Sequence, residues 1–275
     1  MGAATVLILL AAILHASWNA VIRSEGDRLR SMTVLCAAQV VVCIPILLLL
    51  PPVSAVSAPY ICASIAIHVA YCYFLVRSYD LGELADVYPI ARGSSPVLVA
   101  LFAWAVVGET LGAPQILGIV FVSVGIVGMV AFRTSPDRSS LVAAFTTGCL
   151  IASYSVIDGI GARASQSPIA YVGWLCVGEG VAMVMLHRAL RGAIGVDFSD
   201  MSIWKPVGGA VLAMASYGIV VWAMTITPMG PVSALRETSV MFAALIARFA
   251  LGEPLGVRRA ACCGFISLGA ASLTL

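Results

Sequence analysis

The sequence predicts an all-α integral membrane protein with ten transmembrane helices arranged as two inverted five-helix repeats. Three observations carry this. The 275 residues are 61% hydrophobic and only 10% charged, with mean hydropathy +1.05, whereas soluble domains carry about 25% charged residues. The apolar residues fall into about ten runs, each near the ~20 residues needed to cross a bilayer. The two halves of the chain also resemble each other. Lipid forbids exposed unpaired backbone, so ten long apolar runs mean a helical bundle and not a barrel.

In order, the runs are approximately 3–22, 32–50, 58–78, 84–107, 113–132, 140–161, 168–189, 205–226, 231–251 and 256–274. The first lacks a basic leader and is too long for the core of a signal peptide, so it reads as the first span. Pro51-Pro52 ends the second, and the third follows from residue 58. The fourth contains Tyr88-Pro89-Ile90-Ala91-Arg92-Gly93-Ser94-Ser95-Pro96, whose two prolines and glycine disturb a helix. Gly112-Ala113-Pro114 opens the fifth, and Ser135-Pro136-Asp137 separates it from the sixth. Ser167-Pro168 opens the seventh, and Thr227-Pro228-Met229-Gly230-Pro231 divides the eighth from the ninth. The ninth holds a second polar interruption, Leu235-Arg236-Glu237-Thr238-Ser239. The tenth completes the chain, and the loops leave no room for a separate soluble domain.

Basic residues orient such a bundle. Loops after odd-numbered spans hold Arg23, Arg28, Arg30, Arg77, Arg133, Arg138, Arg188, Arg191, Lys205, Arg258 and Arg259, against Arg163 after the even-numbered ones. The odd loops are therefore expected in the cytoplasm, with both termini outside. The net charge of +2 is scattered over short loops and gives no reason to expect a nucleic-acid partner. Cys36, Cys43, Cys62, Cys72, Cys149, Cys176, Cys262 and Cys263 all lie in apolar runs, without CxxC or His at ligand spacing, and read as small buried hydrophobes.

A shift of 144 residues aligns Arg92 with Arg236, Ser95 with Ser239, and Gly108-Glu109-x-Leu111-Gly112 with Gly252-Glu253-x-Leu255-Gly256. Phe121, Ser123 and Gly125 meet Phe265, Ser267 and Gly269. A shift of 136 places Ala16-Ser17-Trp18 on Ala152-Ser153-Tyr154. Residues 1–133 and 139–275 thus form two repeats of five spans. Five is odd, so the copies face opposite ways across the bilayer, as in many secondary transporters.

Charged groups at membrane depth are costly and mark solute paths. Arg92 and Arg236 read either as a pair gripping an anion or as members of internal ion pairs, Arg236 with Glu237 or Glu179 and Arg92 with Asp86 or Asp158. Pro89, Gly93 and Pro96 either open backbone groups toward a solute or simply kink the span. Glu179 is mid-span and could carry a coupling proton or serve as a fixed counter-ion; Asp158 is similar, nearer a span end. His15, Trp18 and Asn19 share a face of the first span and suit a cavity wall or helix–helix hydrogen bonds. Tyr88 and Trp222 could shape the cavity, Ser95 and Ser239 accompany the arginines, and His68, Tyr71 and Tyr73 are weaker candidates. Glu109 and Glu253 read as caps at corners.

Leu14-His15-Ala16-Ser17-Trp18-Asn19-Ala20, Val87-Tyr88-Pro89-Ile90-Ala91-Arg92-Gly93, Leu235-Arg236-Glu237-Thr238-Ser239 and the two GExLG corners resemble the drug/metabolite transporter superfamily. The resemblance is to its EamA-type transporters, with two EamA repeats, and within them to phosphonate-utilisation-associated membrane proteins. It covers the whole chain. It implies a basket-like carrier with a central cavity, in families that export amino acids or other metabolites or exchange phosphorylated sugars.

No P-loop, HExxH, GxSxG or metal-ligand cluster occurs in the sequence. The expected function is secondary transport of a small anionic or zwitterionic solute, such as an amino acid or phosphonate, across a bacterial inner membrane. No cofactor, metal or enzymatic activity is expected. The expected partners are the solute and the lipid bilayer, with a homodimer as a candidate assembly. A membrane-embedded enzyme and a channel are the alternatives.

Overall fold

The computed structural model describes residues 2–23, 26–81, 84–129, 138–195, 203–250 and 256–274. It contains α1 (Gly2–Arg23), α2 (Arg28–Leu49), α3 (Ala58–Leu81), α4 (Leu84–Val107), α5 (Ala113–Gly128), α6 (Arg138–Ser165), α7 (Pro168–Arg191), α8 (Trp204–Ile226), α9 (Met229–Glu237), α10 (Ser239–Ala250) and α11 (Val257–Ser272). No strand occurs among the described residues. Among the described residues, seven helices are long and apolar enough to cross a membrane, and α5 is a shorter apolar helix. Large apolar side chains such as Leu48, Leu49 and Trp104 point outward, a surface that suits lipid and not water.

Local chemistry sets the helix ends. The Asp27 side chain accepts from the Arg30 N–H at 3.0 Å and caps α2. Gln115 Oε1 accepts the Gly112 N–H at 3.0 Å where α5 begins. Pro168 starts α7, where its missing N–H has no helical partner to lose.

One sequence expectation is corrected here. α4 runs unbroken through Pro89, Gly93 and Pro96. The carbonyl that Pro96 leaves without its helical donor, that of Arg92, accepts the Ser95 hydroxyl at 3.3 Å instead. Gly93 serves close packing: a Cβ there would sit 2.6 Å from Val127 Cγ2 and 3.1 Å from the Ser123 carbonyl of α5. The helical break falls in the ninth segment, which starts at Met229 and divides at Thr238, between α9 and α10. The Thr238 hydroxyl donates to the Leu235 carbonyl at 2.6 Å, competing with the helical ladder without any proline.

Among the described residues, contacts between connections join links of the same end of the bundle. At one end of the bundle, the even end, lie the links α2–α3, α4–α5, α6–α7 and α8–α9. There the Ser54 N–H donates to the Ser165 carbonyl at 3.1 Å and Ser272 Oγ to the Pro114 carbonyl at 2.8 Å. At the opposite, odd end, Arg191 pairs with Asp27 at 2.9 Å, Arg30 donates to the Gly195 carbonyl, and Arg258 donates to the Gly128 carbonyl.

Several helix pairs recur between the two halves of the chain. The α1–α8 pair has α6–α3 as its counterpart, and α2–α8 has α7–α3. α5 packs on α11, and α2 on α7. In the α5–α11 pair, a Cβ on Gly118 would lie 2.9 Å from the Gly269 carbonyl, and one on Gly125 would lie 3.0 Å from that of Cys262. Adding 144 to 118 and 125 gives 262 and 269, so each contact is the other's counterpart. Phe121 and Phe265, also 144 apart, stack on each other with centroids 6.1 Å apart. The contacts run antiparallel, low numbers in α5 meeting high numbers in α11.

Candidate functional site

Three helices bring the polar centre together. α9 is buried along its whole length, and its last two residues, Arg236 and Glu237, point into the bundle. Glu237 Oε1 takes hydrogen bonds from Arg236 Nε at 3.1 Å and Nη2 at 2.9 Å. The same oxygen takes one from Arg92 Nη1 of α4 at 3.2 Å. Arg92 Nη2 also meets His15 Nε2 of α1. A guanidinium only donates, so that ring nitrogen accepts. Arg92, Arg236 and Glu237 are 1%, 2% and 0% exposed. Two buried cations therefore share a single carboxylate oxygen, and this three-residue core carries a net positive charge.

A cavity of about 90 Å³ adjoins this core, room for several waters. Arg236, His15, Trp18, Glu179, Tyr154 and Tyr217 line it, with Gln39, His68, Tyr71, Cys36, Cys72 and Cys176 among the others. Its α1 and α2 residues come from the stretches of those helices nearest the odd end. Toward the even end, the core is backed by packed aliphatic residues, including Ile8, Ala11, Val99, Val220, Met224, Val232 and Leu235. The polar centre thus sits between a cavity on one side and an apolar seal on the other.

The other anticipated residues divide. Glu179 faces the cavity and accepts from Cys72 Sγ at 3.6 Å; the arginines pair with Glu237 and not with it. Asp158 is fully buried and takes the Tyr171 hydroxyl at 2.9 Å and the Tyr217 hydroxyl on its other oxygen. Trp18 packs edge-on to His15, centroids 5.1 Å apart. Asn19 donates to the His15 carbonyl of its own helix at 2.8 Å. Ser239 is buried at the start of α10. Trp222 is not brought to the cavity; it packs against the apolar seal. Tyr73 stacks on Phe74. The side chains of Tyr88 and Asp86, and Glu253 altogether, lie outside the described residues.

Tyr154, Tyr217, Gln39 and the three cavity cysteines are missed by sequence reasoning. Their one signal is a polar tip within an apolar run, and many packing residues share it. Glu109 does cap a helix, but one distant in sequence: its Oε2 accepts the Met229 N–H at the start of α9, at 2.8 Å.

No family model matches the chain, and no curated protein matches it. The chain is similar over its full length to a protein solved as a crystal structure, with a TM-score of 0.79, 19% identity and 97% of that chain covered. At that identity the likeness is one of fold.

Proposed function

We propose that the protein is a secondary transporter of a small anionic or zwitterionic solute, working by alternating access between two inverted five-helix halves. It is read as an EamA-type member of the drug/metabolite transporter superfamily. The observation that carries this reading is the pair Arg92 and Arg236. They occupy equivalent positions of the two halves, share one Glu237 oxygen, and Arg236 borders a cavity. A carboxylate or phosphonate entering that cavity competes with Glu237 for the guanidinium groups and offers the bidentate acceptor that arginine favours.

The inverted arrangement is supported by the α5–α11 contacts, where residues 144 apart pair across an antiparallel interface. Equivalent helices packed antiparallel about a two-fold belong to halves that face opposite ways. The proposed setting is a bacterial inner membrane, with the odd end in the cytoplasm and both termini outside, following the arginine bias of the odd loops. The driving force is a proton gradient acting through Glu179, or the solute gradient alone; the proposed solutes are amino acids and small phosphonates.

The test is counterflow of labelled amino acids and phosphonates in proteoliposomes. A carrier saturates and shows counterflow, a channel shows no counterflow, and an enzyme alters the solute chemically. Arg92→Ala and Arg236→Ala each abolish counterflow while the protein still inserts; full activity in both variants removes the anion reading.

A further inference from the structure

The even end holds an arrangement that the binding site does not explain. Gly108, at φ +74°, turns the chain after α4 and sets Glu109 over the start of α9. Arg163, at the end of α6, donates to Glu109 Oε1 at 2.6 Å, to the Met224 carbonyl at 2.8 Å and to the Thr227 carbonyl at 3.2 Å. Glu109 holds the first N–H of α9 with its other oxygen. One ion pair, partly exposed, thus ties together the ends of α4, α6 and α8 and the beginning of α9.

Beneath it, α6 and α9 meet in antiparallel register. Met229 lies on Gly159, where a Cβ would sit 2.6 Å from Met229 Cε and 2.7 Å from Sδ. Met229, Ser233 and Glu237 fall at i, i+4 and i+8 on one face of α9, and Arg163, Gly159 and Ser155 follow the same spacing on α6. Continuing the register brings Ser155 toward Ser233. Ser155 Oγ, Ser233 Oγ and Glu237 Oε2 are all buried, and none has a hydrogen-bond partner among the described residues. Buried polar atoms are ordinarily paired. Here three unpaired ones line up from the arginine core toward the even end, stopping under Met229.

We propose that the α6–α9 seam is the gated passage between the Arg92–Glu237–Arg236 core and the even end, with Met229 on Gly159 as its plug and Glu109–Arg163 as its latch. Releasing the latch frees the first turn of α9. Because α9 carries Arg236 and Glu237 at its other end, the same movement re-aims the binding groups. The proposal rests on the transport reading for its purpose, but its geometry is tested without any solute.

The experiment is labelling of Ser233→Cys in proteoliposomes with a small, membrane-impermeant anionic methanethiosulfonate. Peptide mass spectrometry reads the label at position 233 despite the native cysteines. Thr110→Cys and Gly26→Cys, both exposed positions, mark the even and odd ends. Position 233 is expected to label slowly from the Thr110 side, and about tenfold faster when Glu109→Gln removes the charged hydrogen bonds of the latch. Met229→Ala adds to the rate. Labelling only from the Gly26 side, no labelling in any variant, or the same rate with and without the latch overturns the proposal. Glu109→Gln changes one polar atom, so it decides the matter if Met229→Ala fails to give a monodisperse protein. Lost counterflow with latch-dependent labelling removes the transport reading alone; intact counterflow with latch-independent labelling removes the gate alone.

Discussion

Removing the Glu237 charge, by Glu237→Gln, tests the arginine core most sharply. Glu237 Oε1 lies 3.2 Å from Arg92 and 2.9 Å from Arg236. At an effective dielectric of about 20, each contact is worth about 5 kcal/mol of attraction. The two nitrogens on that oxygen are no more than about 6 Å apart, so the cations repel by about 3 kcal/mol. That repulsion is present with or without the Glu237 charge; relief of the carboxylate's desolvation offsets more than half of the lost attraction, leaving about 4 kcal/mol, within the range of about 3–5 kcal/mol for breaking a buried pair. A chain of this size then loses about 10 °C in Tm. Adding Arg92→Gln to Glu237→Gln loses the Arg92–Glu237 attraction once and not twice, so the double variant should be more stable than the sum of the single effects by about 2 kcal/mol. Thermal unfolding in detergent, read by tryptophan fluorescence, measures all four corners of the cycle. A Glu237→Gln protein that melts within about 1 °C of the parent, or a cycle that is additive, refutes the shared-carboxylate account.

Other outcomes follow from the same geometry. Gly269→Ala sets a methyl 2.8 Å from the Gly118 carbonyl and the Val122 amide, backbone atoms that cannot step aside; it should lower stability by about 1–3 kcal/mol in the same melting assay. Trp222→Phe should leave the KM for transport unchanged, because Trp222 packs in the apolar seal; a large rise in KM would return it to the cavity wall.

Much of the helical layout was legible because lipid imposes a length on each apolar run, and prolines and polar clusters mark the ends. The arginine pair was legible for a related reason: charge inside an apolar run is costly and stands out. The breaks were harder. Pro89 and Pro96 look like interruptions, yet Ser95 replaces the donor that Pro96 lacks and Gly93 lets α5 close in, so α4 continues. The interruption at Leu235-Arg236-Glu237-Thr238-Ser239, by contrast, is a real one, since the helix divides at Thr238. The sequence pairs Arg236 with Glu237 or Glu179 and Arg92 with Asp86 or Asp158, yet Glu237 serves both arginines, because only folding decides which carboxylate arrives. Asp158 goes instead to Tyr171 and Tyr217. The Glu109–Arg163 pair joins residues 54 positions apart, and no local pattern announces it.

The central claim is that an anionic solute takes the guanidinium groups that Glu237 now holds. Thermal-shift titration of the purified protein with small carboxylates, amino acids and phosphonates tests it directly, since a ligand that binds only the folded state raises Tm with its concentration. At least one of these solutes should give saturable stabilisation in the parent and none in Arg236→Ala. Stabilisation equal in the two proteins, or by no anion or zwitterion at all, would contradict it.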